Sequence, residues 1–210
     1  MMARRLSLAS VLCLLAAACT LTPNPPPATQ AVKTPVPELP PTPDIGDVSA
    51  PQGWSTYRNQ ELAFGFAYPA SGLLAPGEGE ILATISYPPD PASNVLEETV
   101  LVSGLAGGET CASPLAQGWE PGELSPETVE VNGVSFLRLT HSGVAAGTSA
   151  MWVSYTAHRD QRCASLGYVL RTFDPANLDP TRFPTPPAAV DWKQKVQGFE
   201  AMVATFTWLD

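Results

Sequence analysis

Trp54-Ser55-Thr56-Tyr57-Arg58-Asn59, followed after a short gap by Phe64-Gly65-Phe66-Ala67-Tyr68-Pro69, decides how the folded part of this chain is read. Phe64, Phe66 and Tyr68 fall on every second position. Successive strand side chains point to opposite faces, so the three rings share one face. Aromatic alternation closed by a proline predicts a strand pair. Working outward, the β-branched runs at 80–87 and 97–104 predict further strands. Residues 105–126, rich in Gly, Pro and Ser, read as a loop around Cys111.

Val131-Asn132-Gly133-Val134 is the sharpest local signal after the opening run. Asn-Gly between β-branched residues favours a two-residue type I′ turn, joining strands at 127–131 and 134–141. Strands at 150–157 and 163–171 follow, linked by a charged loop from His158 to Arg162, with residues 143–149 turning before them. Short loops between consecutive antiparallel strands describe a meander. A helix closes the chain: Thr185 is placed to cap it, Pro186 suits its first turn, and Trp192, Val196, Phe199 and Val203 form its apolar stripe. Gly198 costs an isolated helix about 1 kcal/mol, so the stripe must pack to hold it. Thr205 to Trp208 alternate and suit a short terminal strand. The reading is an α+β domain over 53–210, an antiparallel sheet with a packed helix.

The N-terminus carries an address. Arg4 and Arg5 precede a short apolar core from Leu6 to Leu15, then Ala16-Ala17-Ala18 leads into Cys19. A membrane span needs about 20 apolar residues, so residues 1–18 read as an export signal. Small residues before a cysteine match a bacterial lipobox, with Ala16 where leucine is more usual. Cys19 is then the lipidation site, and the domain sits at the extracytoplasmic face of the cell envelope, lipid-anchored to a membrane. The competing reading, an ordinary secretory signal cleaved after Ala18, leaves Cys19 as a thiol open to oxidation. Residues 20–52, punctuated by prolines from Pro23 to Pro51, predict a disordered, extended linker. At about 3.1 Å per residue it reaches as far as ~100 Å.

The chain has 11 Lys and Arg against 20 Asp and Glu, a net charge of −9, and removing residues 1–18 takes away only basic residues. Lys33, Lys193 and Lys195 are its only lysines. With no basic stripe to neutralise phosphates, nucleic acid is not an expected partner. Of the 4 cysteines, Cys13 leaves with the signal and Cys19 takes the lipid. Cys111 and Cys163 remain, an even pair in an oxidising compartment, and a structural disulfide is the expectation. It closes a loop of roughly 50 residues, worth about 4 kcal/mol in the chain-entropy model. A redox-active pair would call for Cys-x-x-Cys spacing, which the sequence lacks.

Trp54, Tyr57 and Asn59, then Phe64-Gly65-Phe66-x-Tyr68-Pro69, a sheet, and a closing amphipathic helix with Phe199 and Ala204-Thr205-Phe206 together resemble the PsbP-like family. The resemblance covers residues 54–208 and rests on the two end motifs. It implies an antiparallel sheet flanked by helices, an α/β/α sandwich of the PsbP/Mog type, and a place among bacterial lipoproteins of unspecified role. Where bacterial members often carry tryptophan after Tyr-Pro, this chain has Ser71-Gly72-Leu73-Leu74, which puts the first helix of that fold in question. No ligand-binding residue of the family transfers.

Candidate chemistry is sparse. The 2 histidines are His141 and His158. With a turn at 143–149, His141 falls opposite Ala150 and His158 lies about 25 Å further along, too far for a shared metal. His158-Arg159-Asp160 matches a kinase tripeptide, but Ser165 stands where asparagine is needed and the phosphate loop is missing, so it reads as a turn. Gly77-Glu78-Gly79 lacks the third glycine of a dinucleotide site. Trp54, Tyr57, Phe64, Phe66 and Tyr68 suit a core better than a ligand groove. Trp119, alone in the loop after Cys111, is the candidate interface residue. These features favour a binding or assembly module without catalytic activity or cofactor, with an envelope protein as partner. A small-ligand carrier would need an apolar pocket with convergent polar groups. A cryptic hydrolase would need a serine within reach of a histidine.

Overall fold

The aromatic alternation forms strand β2 (Phe64–Pro69), paired antiparallel with β1 (Trp54–Asn59) so that Tyr57 lies opposite Phe66. The structure, a computed structural model, describes residues 50–107 and 111–209. The signal segment 1–18, Cys19 and the linker as far as residue 49 lie outside the described residues.

The next strands are β3 (Leu73–Pro76), β4 (Ile81–Ser86), β5 (Val95–Ala106), β6 (Ser125–Val131), β7 (Val134–Ala145), β8 (Thr148–Arg159) and β9 (Arg162–Phe173). Helix α1 (Trp192–Val203) and β10 (Thr207–Trp208) follow. They form two sheets, β1-β2-β10 and β3-β4-β5-β9-β8-β7-β6. Residues 73–76 are thus a strand, where the family resemblance would put a first helix. Gly72 allows this, because a Cβ there would collide with the Ile85 side chain.

The hairpins are tighter than expected, and their strands longer. Asn132-Gly133, Ala146-Gly147 and Asp160-Gln161 all have positive φ, between 48° and 76°. Each is a two-residue turn whose twist matches that of the flanking strands. The turn at 146–147 moves the register, so His141 pairs with Trp152 and Ala150 pairs with Gly143.

One face of the large sheet carries the core. Val100, Val102, Phe136, Val153, Leu166, Tyr168 and Leu170 are buried there, beneath α1 and the small sheet. Phe199 of α1 stacks on Tyr168 at 5.3 Å and meets Tyr155 edge-on at 5.8 Å. Phe206 packs against Phe64 and Phe136, joining the two sheets. Burying each such side chain stabilises by about 1.5–3 kcal/mol. The expected stripe is therefore right, with Val196, Phe199 and Val203 buried.

The expected cap is not. Asp191, not Thr185, caps α1, its carboxylate accepting from the amides of Lys193 and Gln194. Pro186 precedes Pro187, which pushes it away from helical geometry. Residues 188–190 instead run beside 93–94, where the Val190 amide donates to the Asn94 side chain at 2.9 Å.

The opposite face departs from the expected sandwich. Among the described residues α1 is the one α-helix, so there is no second helical layer. Residues 111–124 lie there instead, with two 3-10 turns, Pro114–Ala116 and Pro121–Glu123. Their spacing of proline and glycine breaks any longer helix. Cys111 and Cys163 are joined as expected, with Cα atoms 5.4 Å apart.

Candidate functional site

Gly167 of β9 has no side chain, and Leu115 occupies the space above it. That contact and the disulfide to Cys163 seat the segment 111–118 on the sheet. Ser113 caps the first 3-10 turn by accepting from the Leu115 amide. Gly118, at φ 84°, then turns the chain so that Trp119 lies over β7. Its ring packs against His141, tilted by 39° with centroids 3.7 Å apart, and His141 in turn lies 6.0 Å from Trp152. The imidazole Nδ1–H donates to the Glu123 carbonyl at 3.3 Å, and the Glu123 carboxylate accepts from the Glu120 amide at 3.0 Å.

Three rings thus stand in a row, and beside them the sheet is thin. Gly143 and Ala150 face each other across the β7–β8 hairpin and leave a cleft of about 390 Å³ against Trp119, His141, Val144 and Trp152. Trp119 remains 39% exposed and Val144 82% exposed. No Asp, Glu, Lys or Arg occurs between Arg138 and His158, while Glu120 and Glu123 stand exposed at the rim of the hairpin end.

A second hollow of about 210 Å³ lies between α1 and the sheet, lined by Tyr87, Glu98, Tyr168 and Lys195. Its polar groups answer one another. The Tyr168 hydroxyl and the Lys195 ammonium both donate to Glu98, and the Tyr87 hydroxyl donates to the Met202 sulfur at 3.7 Å. Burial raises the Tyr87 pKa to about 12, with the Glu98 carboxylate adding to the shift. Tyr168 is pushed higher still, for the same two reasons in the same order. Such a cluster ties helix to sheet. A matching cluster lies on the far side of Phe199, where Arg138 and Tyr155 both reach Glu200.

The histidines stand apart. His158 lies opposite Cys163, six residues along β8 from the partner of His141, about 20 Å at strand rise. His158 and Arg159 end β8 and Asp160 begins the β8–β9 turn, where Asp160 forms ion pairs with Arg159 and Arg162. Among the described residues no group of His, Cys, Asp and Glu is arranged to hold a metal. Phe64, Phe66 and Tyr68 are buried in the core. Trp119 is where the loop reading put it, but it is not isolated. Its neighbours His141 and Trp152 went unrecognised because they meet only through the β7–β8 register. Gly147 was the available signal: a two-residue turn ending there pairs 141 with 152.

No family model matches the chain, and no curated protein is similar to it. Solved structures similar in shape include the following three. A protein of Bacteroides thetaiotaomicron is 11% identical with a TM-score of 0.45, over 74% of this chain and 48% of that one, so this chain spans about half its length. Cyanobacterial PsbP from Synechocystis is 12% identical with a TM-score of 0.46, over 81% of this chain and 98% of that one. The Ran-binding protein Mog1p of Saccharomyces cerevisiae is 8% identical with a TM-score of 0.45, over 74% and 95%. PsbP and Mog1p, whose fold the end motifs imply, are among them. The likenesses are loose and bring no ligand, partner or activity to this chain.

Proposed function

We propose that this protein is a binding or assembly module without catalytic activity, anchored through a lipid on Cys19 at the cell envelope, which holds a protein partner against the Trp119–His141–Trp152 row. The observation that supports the reading is Trp119 itself: a large ring 39% exposed, packed against a histidine and held over the sheet by a loop tied down with a disulfide. Order is costly to impose on an exposed tryptophan, and a pre-ordered aromatic is what an interface anchor requires. In the hollow under α1, Tyr168 and Lys195 are already paired with Glu98, which counts against the carrier reading.

The experiment is cross-linking in native envelopes followed by capture through the folded domain. Trp119→Ala is expected to lower recovery of one stoichiometric protein by about tenfold or more, as the loss of an anchor worth roughly 2 kcal/mol would. Cys19→Ala is expected to leave the membrane fraction. Equal recovery with wild type and Trp119→Ala would remove the anchor role.

A further inference from the structure

The rows of strands leave one edge open beside the aromatic row. Strand β6 pairs with β7 only from Val131↔Val134 to Ser125↔Thr140. Beyond that point the chain leaves the sheet through the 3-10 turn Pro121–Glu123. Ser142 to Ala145 of β7 therefore have β8 on one side and no strand on the other among the described residues.

Which backbone groups face that opening follows from the hairpins. Val131 and Val134 flank a two-residue turn and exchange hydrogen bonds with each other. Alternation then turns the even-numbered residues of β7 towards β6 and the odd-numbered ones towards β8. Ala145 and Thr148, flanking the next two-residue turn, fit the same alternation. The N–H and C=O groups of Ser142 and Val144 thus point outward along the line β6 has vacated. Natural sheets blunt such an edge with charge, proline or a bulge, and Ser142-Gly143-Val144-Ala145 has none of these.

We infer that this edge of β7 accepts an extended, basic partner segment as an added antiparallel strand, with one apolar side chain seated over Gly143 between Trp119 and Trp152. The inference rests on the binding reading above and names the partner's chemistry. Strand addition draws affinity from main-chain hydrogen bonds and selectivity from pockets for alternate side chains. Both parts are present here: four outward backbone groups, and a cleft of about 390 Å³ whose floor is glycine and alanine. Charge selects the occupant. A strand that continues the line of β6 runs towards exposed Glu123 and Glu120, on a chain of net charge −9. A basic segment is attracted there, whereas a second copy would set the same carboxylates against each other.

The test uses the full chain and four synthetic peptides: KKTVTLTVTKK, its counterpart with glutamate for every lysine, the lysine peptide N-methylated at both threonines that flank the leucine, and the lysine peptide N-methylated at the leucine. With the leucine opposite Gly143, those two threonines supply the bonds to Ser142 and Val144. The lysine peptide is expected to slow amide exchange of Ser142 and Val144 about tenfold or more, leaving amides that face β8 unchanged. The glutamate peptide is expected to bind at least about tenfold more weakly. N-methylation at the two threonines should abolish binding, while N-methylation at the leucine, whose N–H points away, should not. Val144→Pro should abolish it from the protein side, since an edge strand tolerates proline.

Absence of protection at Ser142 and Val144, or binding that survives threonine N-methylation, overturns strand addition. Equal binding of the glutamate peptide overturns the basic partner, and protection of the same amides by raising the chain's own concentration makes a second copy the occupant instead. If Trp119→Ala loses the native partner while the peptides do nothing, the binding module stands and strand addition falls. If the peptides bind as expected but no envelope partner depends on Trp119, the reverse holds.

Discussion

Ser154 is the one described residue whose buried side-chain oxygen has no hydrogen-bond partner. It sits on β8 between Leu139 and Gly167, on the face that Leu115 covers, while its neighbours Thr156 and Ser165 satisfy each other at 3.0 Å. A buried hydroxyl left unanswered costs about 1–3 kcal/mol in desolvation. Ser154→Ala is therefore expected to raise stability by about 1 kcal/mol in urea unfolding; a loss of stability would mean the hydroxyl is answered. At this scale the sequence spoke unevenly. The cysteine pairing followed from elimination and compartment. Trp152 and Asp191 did not, since a side chain's partners depend on registers that single residues do not announce.

Among the elements, legibility tracked turn chemistry. Asn132-Gly133 declared its hairpin because both residues reach positive φ at little cost. Ala146 and the pair Asp160-Gln161 adopt the same geometry without that composition. The long paired strands on either side impose it, so those loops read as longer than they are. The first turn of α1 was misplaced for a related reason: Thr185-Pro186 is a good start in isolation, but Pro187 and the pairing of residues 188–190 with 93–94 hold the segment extended. Asp191 carries the cap instead, accepting from the Lys193 amide at 2.9 Å. Asp191→Ala is expected to cost about 1 kcal/mol, read as a lower urea midpoint, and Thr185→Ala to cost little. Equal losses would restore Thr185 as the cap.

For the molecule as a whole, the expected α+β sheet with a packed helix was readable because period-2 and period-3.6 patterns are local. The second layer was not. Whether a loop or a helix covers a sheet's outer face depends on what the sheet leaves open, here the groove over Gly167 and the anchor at Cys163. The layer beneath α1 makes a prediction about pH. Tyr87 and Tyr155 are raised from 10.0 to about 12, first by burial and then by Glu98 and Glu200 respectively, and Tyr168 is raised further. In the unfolded chain these phenols ionise near pH 10, so above that point the unfolded state holds fewer protons than the native one. Stability is then constant from this source below pH 10 and falls as pH rises towards 12 and beyond. Thermal unfolding between pH 8 and pH 12 should show that decline, and Tyr155→Phe, which keeps the ring, should make it shallower. A midpoint independent of pH over that range would contradict the tyrosine burial.

The bond between Cys111 and Cys163 bears on the order in which the sheet assembles. The pairing of β5 with β9 begins at Ala106↔Arg162, next to the two cysteines, which are 52 residues apart in sequence. Between them lie the two 3-10 turns and strands β6, β7 and β8, whose partners are near neighbours along the chain. A reduced chain has to find the β5–β9 register by closing that whole span, and search of this kind slows folding. In an oxidised chain the two ends are already side by side, so the central pairing zips from a fixed origin. The cross-link gives a sheet of high contact order the folding problem of a row of hairpins.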